Sequence, residues 1–307
     1  MGLDPAARAV LDMIQAPGVP PLNELPVPDA REAYAQLSDL AGEPPQVART
    51  EDASADGVPV SLYWPDGDGP HPVLIWIHGG GWVLGSAAAS DTTARELCQR
   101  AGCLVVNVDY RLAPEHPFPA AVEDVITTAK WVSANIDSLS GDPSKMAVGG
   151  DSAGGTLSAV LAAQLPEIFA LQVLVYPATD LTGSHPSIQE NGEGLLLTKA
   201  AIDWFTGHYL RSGADPRDPR VSPLYTDAAT LAAAPPALVI TAGNDPLRDE
   251  GEAYANRLRE AGVTVEHVRY ADQIHAFFVM PAAIPAAKDA LQRTASALRS
   301  AWARPGT

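Results

Sequence analysis

Short apolar runs alternate along this chain with stretches of helical periodicity, and that alternation limits the possible folds more than any other feature. The runs are Val73–Ile77, Cys103–Val108, Leu171–Tyr176, Ala237–Ile240 and Val263–Val268. Helical patterns fall at roughly 87–100, 119–136, 153–164 and 248–261, with a last one at 282–302. Strands this apolar leave no face for solvent, so both sides of their sheet must be covered, and intervening helices supply the cover. The expected fold class is α/β with a mostly parallel central sheet. Val58–Trp64 alternates as an antiparallel strand would, and Asp66–Pro70 is a turn cluster. A chain of 307 residues buries about 75% of its unfolded surface, so its core needs no disulfide or metal.

Two stretches stand outside the alternation. In residues 1–46, Asp4 followed by Pro5 reads as an N-cap and first helical position. Leu3, Ala7, Val10 and Ile14 then share one apolar face. After a Pro-rich break, Asp29 is placed to cap a second helix carrying Ala33, Tyr34, Leu37 and Leu40, ended by Gly42. Residues 181–226 are polar and rich in Gly and Pro around a helical piece near Lys199–Leu210. An insertion of that length in an α/β body is expected to cover a site. The expected organisation is an α/β body over 47–180 and 227–307, with helical cover from 1–46 and from the insertion 181–226.

Charge and composition exclude several roles. The chain holds 37 acidic against 20 basic side chains, a formal charge of −17, and residues 1–70 alone carry twelve Asp/Glu against three Arg. Nucleic-acid binding needs a Lys/Arg footprint that is missing here, and an anionic membrane surface is disfavoured for the same reason. No apolar run reaches 18 residues, and the first residues lack a basic stretch followed by an apolar one, so neither a transmembrane helix nor a signal peptide is expected. Cys98 and Cys103 match no zinc or redox spacing. They read as free buried thiols, which suits a cytoplasmic location.

The chemistry starts at Gly150-Asp-Ser-Ala-Gly-Gly155, which follows the short strand Met146–Gly149 and opens a helix. A serine on such a sharp strand-to-helix elbow has its hydroxyl lifted above the sheet, and glycines on either side give clearance. His78-Gly-Gly-Gly-Trp82 directly follows the strand Val73–Ile77. Consecutive glycines let backbone N–H groups approach an oxygen closely, and acyl transfer builds negative charge on such an oxygen. Gly80 and Gly81, with Gly79 adjacent, and Ala153 from the elbow are the candidate donors. Ser152 needs a base, and in this architecture the base comes late in the chain. His267 lies inside a strand; His275 lies beyond that strand's end and is the better base. For the acid, Asp245 is first past the strand Ala237–Ala242, and Asp249 is the alternative, with Glu250 in the first turn of the next helix.

With these residues placed, the sequence resembles the bacterial hormone-sensitive-lipase-type carboxylesterases of the α/β-hydrolase superfamily. The resemblance rests on His78–Trp82, Tyr110-Arg-Leu-Ala-Pro-Glu-His-Pro-Phe-Pro119, Gly150–Gly155, Asp245-Pro-Leu-Arg-Asp-Glu250 and His275, in that order. It implies an α/β-hydrolase fold with a helical cap, a triad of Ser152, Asp245 and His275, and an oxyanion hole from Gly79, Gly80, Gly81 and Ala153. It implies no metal and no organic cofactor, and it fits a homodimer joined through the last strand and last helix. Gly-Asp-Ser-Ala-Gly-Gly, rather than the Thr-containing variant, points to the larger branch of the family. Ala276 stands where many members carry Gly, a departure expected to have little consequence. In the Tyr110–Pro119 run, Arg111 and Glu115 are expected to pair, with Glu115 and His116 as structural support. Asn191-Gly-Glu-Gly194 reads as lid architecture.

The expected activity is hydrolysis of small-molecule esters with short to medium acyl chains through an acyl-enzyme. The acidic outer face of the cover favours neutral or cationic esters, within the reach that screening leaves. Amidases and thioesterases share this triad, and only substrate profiling separates them. A ligand receptor on the same fold would have lost its base, and here His275 is present with Ser152 and Asp245.

Overall fold

The apolar runs pair as strands of a single sheet in the computed structural model, which describes residues 2–303. The strands are β1 (Arg49–Ala55), β2 (Val58–Trp64), β3 (His71–Ile77), β4 (Leu104–Val108), β5 (Gly141–Asp151), β6 (Leu171–Val175), β7 (Ala237–Asn244) and β8 (Val265–Ile274). They lie in the order β1-β2-β4-β3-β5-β6-β7-β8. β2 is antiparallel to both of its neighbours, and β4 through β8 are parallel. The helices are α1 (Pro5–Ile14), α2 (Val27–Gln36), α3 (Asp91–Ala101), α4 (Ala120–Ala134), α5 (Ala153–Gln164), α6 (Pro186–Glu190), α7 (Lys199–Tyr209), α8 (Ala228–Ala232), α9 (Arg248–Glu260) and α10 (Pro285–Trp302).

The apolarity of the strands has the cause expected of it. Alternate residues face opposite ways, so Val73, Ile75 and Ile77 of β3 pack with α4 and α5 through Val125, Val132, Leu157 and Leu161. Leu74 and Trp76 pack on the other side with α3 and α10 through Leu97, Cys98, Leu291 and Leu298. Helix α5 is buried along nearly its whole length, which is why its sequence shows no polar face. Cys98 and Cys103 are buried free thiols.

The sheet register places the site. Ile77 pairs with Gly150, Asp151 with Val175, and Asn244 with Ile274. The strands β3, β5, β6, β7 and β8 therefore end along one edge, and the next residues are His78, Ser152, Tyr176, Asp245 and His275. This carboxyl edge is where open α/β sheets place their ligands.

Above that edge lie the N-terminal helices and the 181–226 stretch. Asp4 caps α1 as expected, its carboxylate accepting the N–H groups of Ala6 and Ala7 at 2.9 and 3.1 Å. Its own N–H donates to the Asp272 carbonyl at 2.9 Å, which ties α1 to the end of β8. Trp204 and Phe205 of α7 pack with Leu22, Leu25, Val27 and Ala30 over Val83 and Leu84, so the two stretches meet each other.

Some local expectations are corrected. Helix α2 begins at Val27, two residues before Asp29, because Pro26 and Pro28 fix the entering backbone; Asp29 is a first-turn acid rather than the cap. The last strand runs on to Ile274, well past Val268, since its outer half sits on the sheet edge and tolerates Glu266, Arg269 and Asp272. Arg111 does not pair with Glu115. Its backbone N–H and guanidinium both bind Asp124 in α4, at 2.7–3.0 Å, while Glu115 turns outward to Arg31 of α2 at 2.7 Å. The pairing partner is set by the turn at Ala113–Phe118, which separates the two side chains and gives each a different helix.

Candidate active site

Ser152 occupies the one residue between β5 and α5, with φ 53° and ψ −120°. Few non-glycine residues adopt that backbone, and the surroundings over-determine it. The Ser152 N–H donates to the Val175 carbonyl at 2.9 Å. A Cβ on Gly154 would overlap the Ile77 carbonyl, and one on Gly150 would meet the Gly154 carbonyl carbon at 2.6 Å. Both glycines of the motif are thus required by the close approach of α5 to the end of β3.

His275 and Asp245 converge on the serine. His275 Nε2 lies 3.0 Å from Ser152 Oγ, and His275 Nδ1 lies 2.8 Å from Asp245 Oδ2. Asp245 is fully buried, and its other oxygen accepts the Leu247 N–H at 2.9 Å. Asn191 of the Asn-Gly-Glu-Gly stretch donates to the Asp245 carbonyl at 3.2 Å. Asp249 is otherwise engaged: it accepts the Ser187 N–H at 2.9 Å and pairs with Arg248 at 2.7 Å. His267 stays on the sheet face, its Nε2 2.9 Å from Thr241 Oγ1. Tyr176 packs against the His275 imidazole with centroids 4.6 Å apart, and Ala276 holds the following turn in a left-handed conformation, φ 65°.

The glycine loop faces the same space. Gly80 has φ 112° and accepts the Leu84 N–H at 2.8 Å; Gly81 has φ 60° and lies directly beneath the Phe205 ring, where a Cβ would collide. Gly79 differs from its neighbours, because its N–H donates to Asp151 Oδ1 at 3.1 Å. That amide is committed, which leaves Gly80, Gly81 and Ala153 as the donors open to an oxyanion. Aromatic stacking fixes the rest of the loop. His78 stacks on Tyr110 with centroids 4.4 Å apart, and Trp82 stacks on Tyr209 at the same separation. The Tyr110 hydroxyl donates to the His78 carbonyl at 3.0 Å. Burial lowers the His78 pKa, which favours the neutral imidazole, and its Nδ1 is 2.7 Å from the Gly79 carbonyl.

Above Ser152 opens a cavity of about 1200 Å³. Its walls are chiefly aliphatic, with Leu22, Leu196, Leu197, Ile202 and Leu210 among them, and Asp39, Asp180 and Asp203 add acidic groups. The large apolar side chains left exposed are Met13 and Val19 among the described residues, and both belong to this cavity's lining. Burial raises the Asp151 carboxyl to about 6, against the opposing pull of nearby His275. Burial also pushes Glu250 well above the usual carboxylate range; its Oε1 accepts the N–H groups of Thr179 and Asp180 at 2.7 and 3.2 Å.

The structure therefore brings together Ser152, Asp245, His275, Gly80, Gly81 and Ala153. It adds Asp151, Tyr176 and Phe205, which the sequence reading did not single out. Asp151 was visible as part of the serine motif, but its partner is 72 residues away in sequence; nothing local marks Tyr176 or Phe205.

Comparisons with known proteins agree with this geometry. A family model described as alpha/beta hydrolase fold matches residues 74–279. The carboxylic ester hydrolase LipN of Mycobacterium tuberculosis is 48% identical over 227 residues, covering 70% of this chain and 59% of that protein, so the alignment spans less than two thirds of the relative. The ethyl acetate hydrolase of Pseudomonas putida is 38% identical across 97% of this chain and 99% of its own length. The crystal structure of an alpha/beta hydrolase enzyme from the metagenome of Lake Arreo superposes with a TM-score of 0.93 at 38% identity, covering 98% and 99% of the two chains.

Proposed function

From the premise that this chain belongs to the α/β-hydrolase family and is a carboxylic ester hydrolase, we propose that Ser152, His275 and Asp245 perform the hydrolysis as nucleophile, base and orienting acid. The observation that carries this reading is the continuous hydrogen-bonded line Ser152–His275–Asp245, at 3.0 and 2.8 Å, on the floor of the cavity.

His275 Nε2 takes the Ser152 proton as Oγ attacks the ester carbonyl. The N–H groups of Gly80, Gly81 and Ala153 hold the resulting oxyanion, and Ala153 adds the positive end of α5. The imidazolium then protonates the departing alcohol. Water attacks the acyl-enzyme by the same route and returns Ser152 to its free form. Buried Asp245 holds the imidazole with Nε2 free of a proton and stabilises its charged form. Residues 1–46 and 181–226 act as the cap in this reading, consistent with the packing of Phe205 on Gly81 and of α7 on the N-terminal segment. The motifs support placement among the hormone-sensitive-lipase-type esterases, in the Gly-Asp-Ser-Ala-Gly-Gly branch.

The substrates in this reading are esters with short to medium acyl chains. A largely aliphatic cavity of this size has room beyond a two-carbon acyl group, and one relative is an ethyl acetate hydrolase. Asp39, Asp180 and Asp203 in the lining favour neutral or cationic esters over anionic ones. A panel of esters from acetate to laurate, run with wild type and Ser152→Ala, tests the reading. Activity peaking at four to eight carbons and abolished in the variant is expected. No alcohol released from a four-carbon ester, or full turnover in Ser152→Ala, would overturn it.

A further inference from the structure

We propose that Asp151 is a positioning residue that anchors the oxyanion loop, and that its charge governs how well the loop is formed. The inference rests on the serine-hydrolase reading above and extends it to a residue that takes no part in the proton transfers. Asp151 immediately precedes the nucleophile, so its backbone is fixed by β5 and by the elbow. Its carboxylate reaches across to β3's end and accepts the Gly79 N–H at 3.1 Å. Any Cβ on Gly79 would collide with Asp151 Oδ2. The carboxylate and the loop are therefore in direct contact, and Gly79 is glycine because Asp151 occupies the adjoining space.

Among the loop's other supports, the Val83 and Leu84 N–H groups hold the Gly80 carbonyl and the Phe205 ring lies over Gly81. Tyr110 holds the His78 carbonyl and Tyr209 holds the Trp82 ring, so the segment is pinned at its two ends. Asp151 fixes the His78–Gly79 peptide, one unit before the peptide that carries the Gly80 N–H, whose Gly79 carbonyl lies 2.7 Å from His78 Nδ1. An oxyanion donor works only if it already points at the position the charge will occupy, and misplacement of a donor by about 1 Å is enough to lose much of that effect. A buried carboxylate at one end of the loop is thus a means of aiming the amides that follow it.

Ionisation matters because a charged acceptor holds an N–H more tightly than a neutral one. The titratable groups facing Asp151 are His275 beyond β8, Tyr34 of α2, Tyr110 after β4 and Tyr176 after β6, with His78 beside Gly79. Burial pushes the three phenols up, so they are neutral near pH 6 to 8, and it pushes His78 down. His275 is then the group whose charge bears on Asp151. With the carboxyl at about 6, protonation on the acid side weakens the anchor while it also withdraws a negative charge from beside His275.

The test uses Asp151→Ala and Asp151→Asn in the full chain. The Asn side chain keeps an oxygen for Gly79 and loses the charge; Ala loses both. For Asp151→Ala, kcat on a butyrate ester is expected to fall about ten- to a hundredfold with KM changed less than threefold, and a trifluoromethyl ketone inhibitor should weaken by a similar factor. Asp151→Asn, which keeps the acceptor oxygen and loses the charge, should fall between Asp151→Ala and wild type in kcat, and its acid limb in kcat/KM should move to lower pH than wild type. Hydrogen exchange of the Gly79 amide should quicken in Ala relative to wild type and Asn, a readout independent of esterase activity. Wild-type inactivity on every ester would remove the functional reading while leaving the anchor testable by exchange. The proposal is overturned if Asp151→Ala retains wild-type kcat or loses it through KM alone, if Asn behaves as Ala, or if exchange at Gly79 is the same in all three proteins.

Discussion

Replacing Asp151 by Asn should remove a pH dependence of folding stability whose sign and size can be worked out beforehand. In the folded chain burial raises the Asp151 carboxyl from 3.8 to about 6, whereas in the unfolded chain it returns to its ordinary value. Well below pH 3.8 the group is protonated in both states and contributes no pH dependence. Between pH 4 and 6 the unfolded chain releases the proton first, so stability falls as pH rises. Above pH 6 both states are ionised and the loss stays constant. At 1.36 kcal/mol per pH unit of displacement, the full loss is about 3 kcal/mol. Asn does not titrate, and any fixed cost of its NH2 group beside Gly79 is the same at every pH. The stability of Asp151→Asn minus that of wild type should therefore rise by about 2–3 kcal/mol from pH 4 to pH 8. Glu250 titrates in the same direction, but it is present in both proteins and drops out of the difference. Urea denaturation of both proteins at unit pH intervals measures this directly through the shift in midpoint at matched slope. A difference that is flat with pH would mean that the carboxylate is as well solvated or paired in the fold as in water. A difference that falls with pH would mean that the fold stabilises the charge, and either result refutes the account of Asp151 as a desolvated anchor.

Three further substitutions test the site. Asp245→Asn should keep the fold and lower kcat by about 10⁴-fold with little change in KM, because the amide no longer enforces the tautomer that leaves His275 Nε2 free to accept the Ser152 proton; steady-state kinetics on a butyrate ester measure it. Ala276→Gly should stabilise the chain by up to about 1 kcal/mol, since a left-handed backbone strains Ala and not Gly, and calorimetry should show the melting temperature rising by about 1–2 °C for a chain of this size. Gly154→Ala should reduce soluble yield and lower the melting point, because its Cβ would overlap the Ile77 carbonyl; if this variant melts with wild type, the packing account of the elbow is wrong.

The parts of the fold that could be read from sequence are those dictated by period and by turn chemistry. Val73–Ile77 is apolar at every position because α4 and α5 cover one face and α3 and α10 the other. The glycines flanking Ser152 and those after His78 are backbone requirements, so they stand out in a sequence whatever their distant neighbours are. His275 and Asp245 could be found because each is the first useful side chain past a strand end, and parallel strands end along one edge. What sequence could not give is the identity of partners across that edge. Arg111 chose Asp124 over Glu115 because of a turn whose direction no local pattern encodes. Gly79 was counted with its neighbours as a donor, since nothing in three identical glycines tells which amide is already taken; only the register of β3 on β5 puts Asp151 against the first of them.

That register also explains why so many roles fall on residues without a recognisable motif. When β3, β5, β6, β7 and β8 end together, the residue after each strand is committed to the same sheet edge, whatever its type. His78, Ser152, Tyr176, Asp245 and His275 are those five residues. Two of them, His78 and Tyr176, have no place in the proton transfers, yet one braces the oxyanion loop through its stack on Tyr110 and the other lies against the His275 ring. Their positions are fixed as firmly as the serine's, because any residue there follows a strand that ends on the edge carrying the site. The physical demand on them is therefore one of shape and neutrality, a flat ring that stays uncharged when buried. Charged substitutions at His78 or Tyr176 would place an unpaired ion beside the reacting centre, whereas flat neutral ones would preserve it.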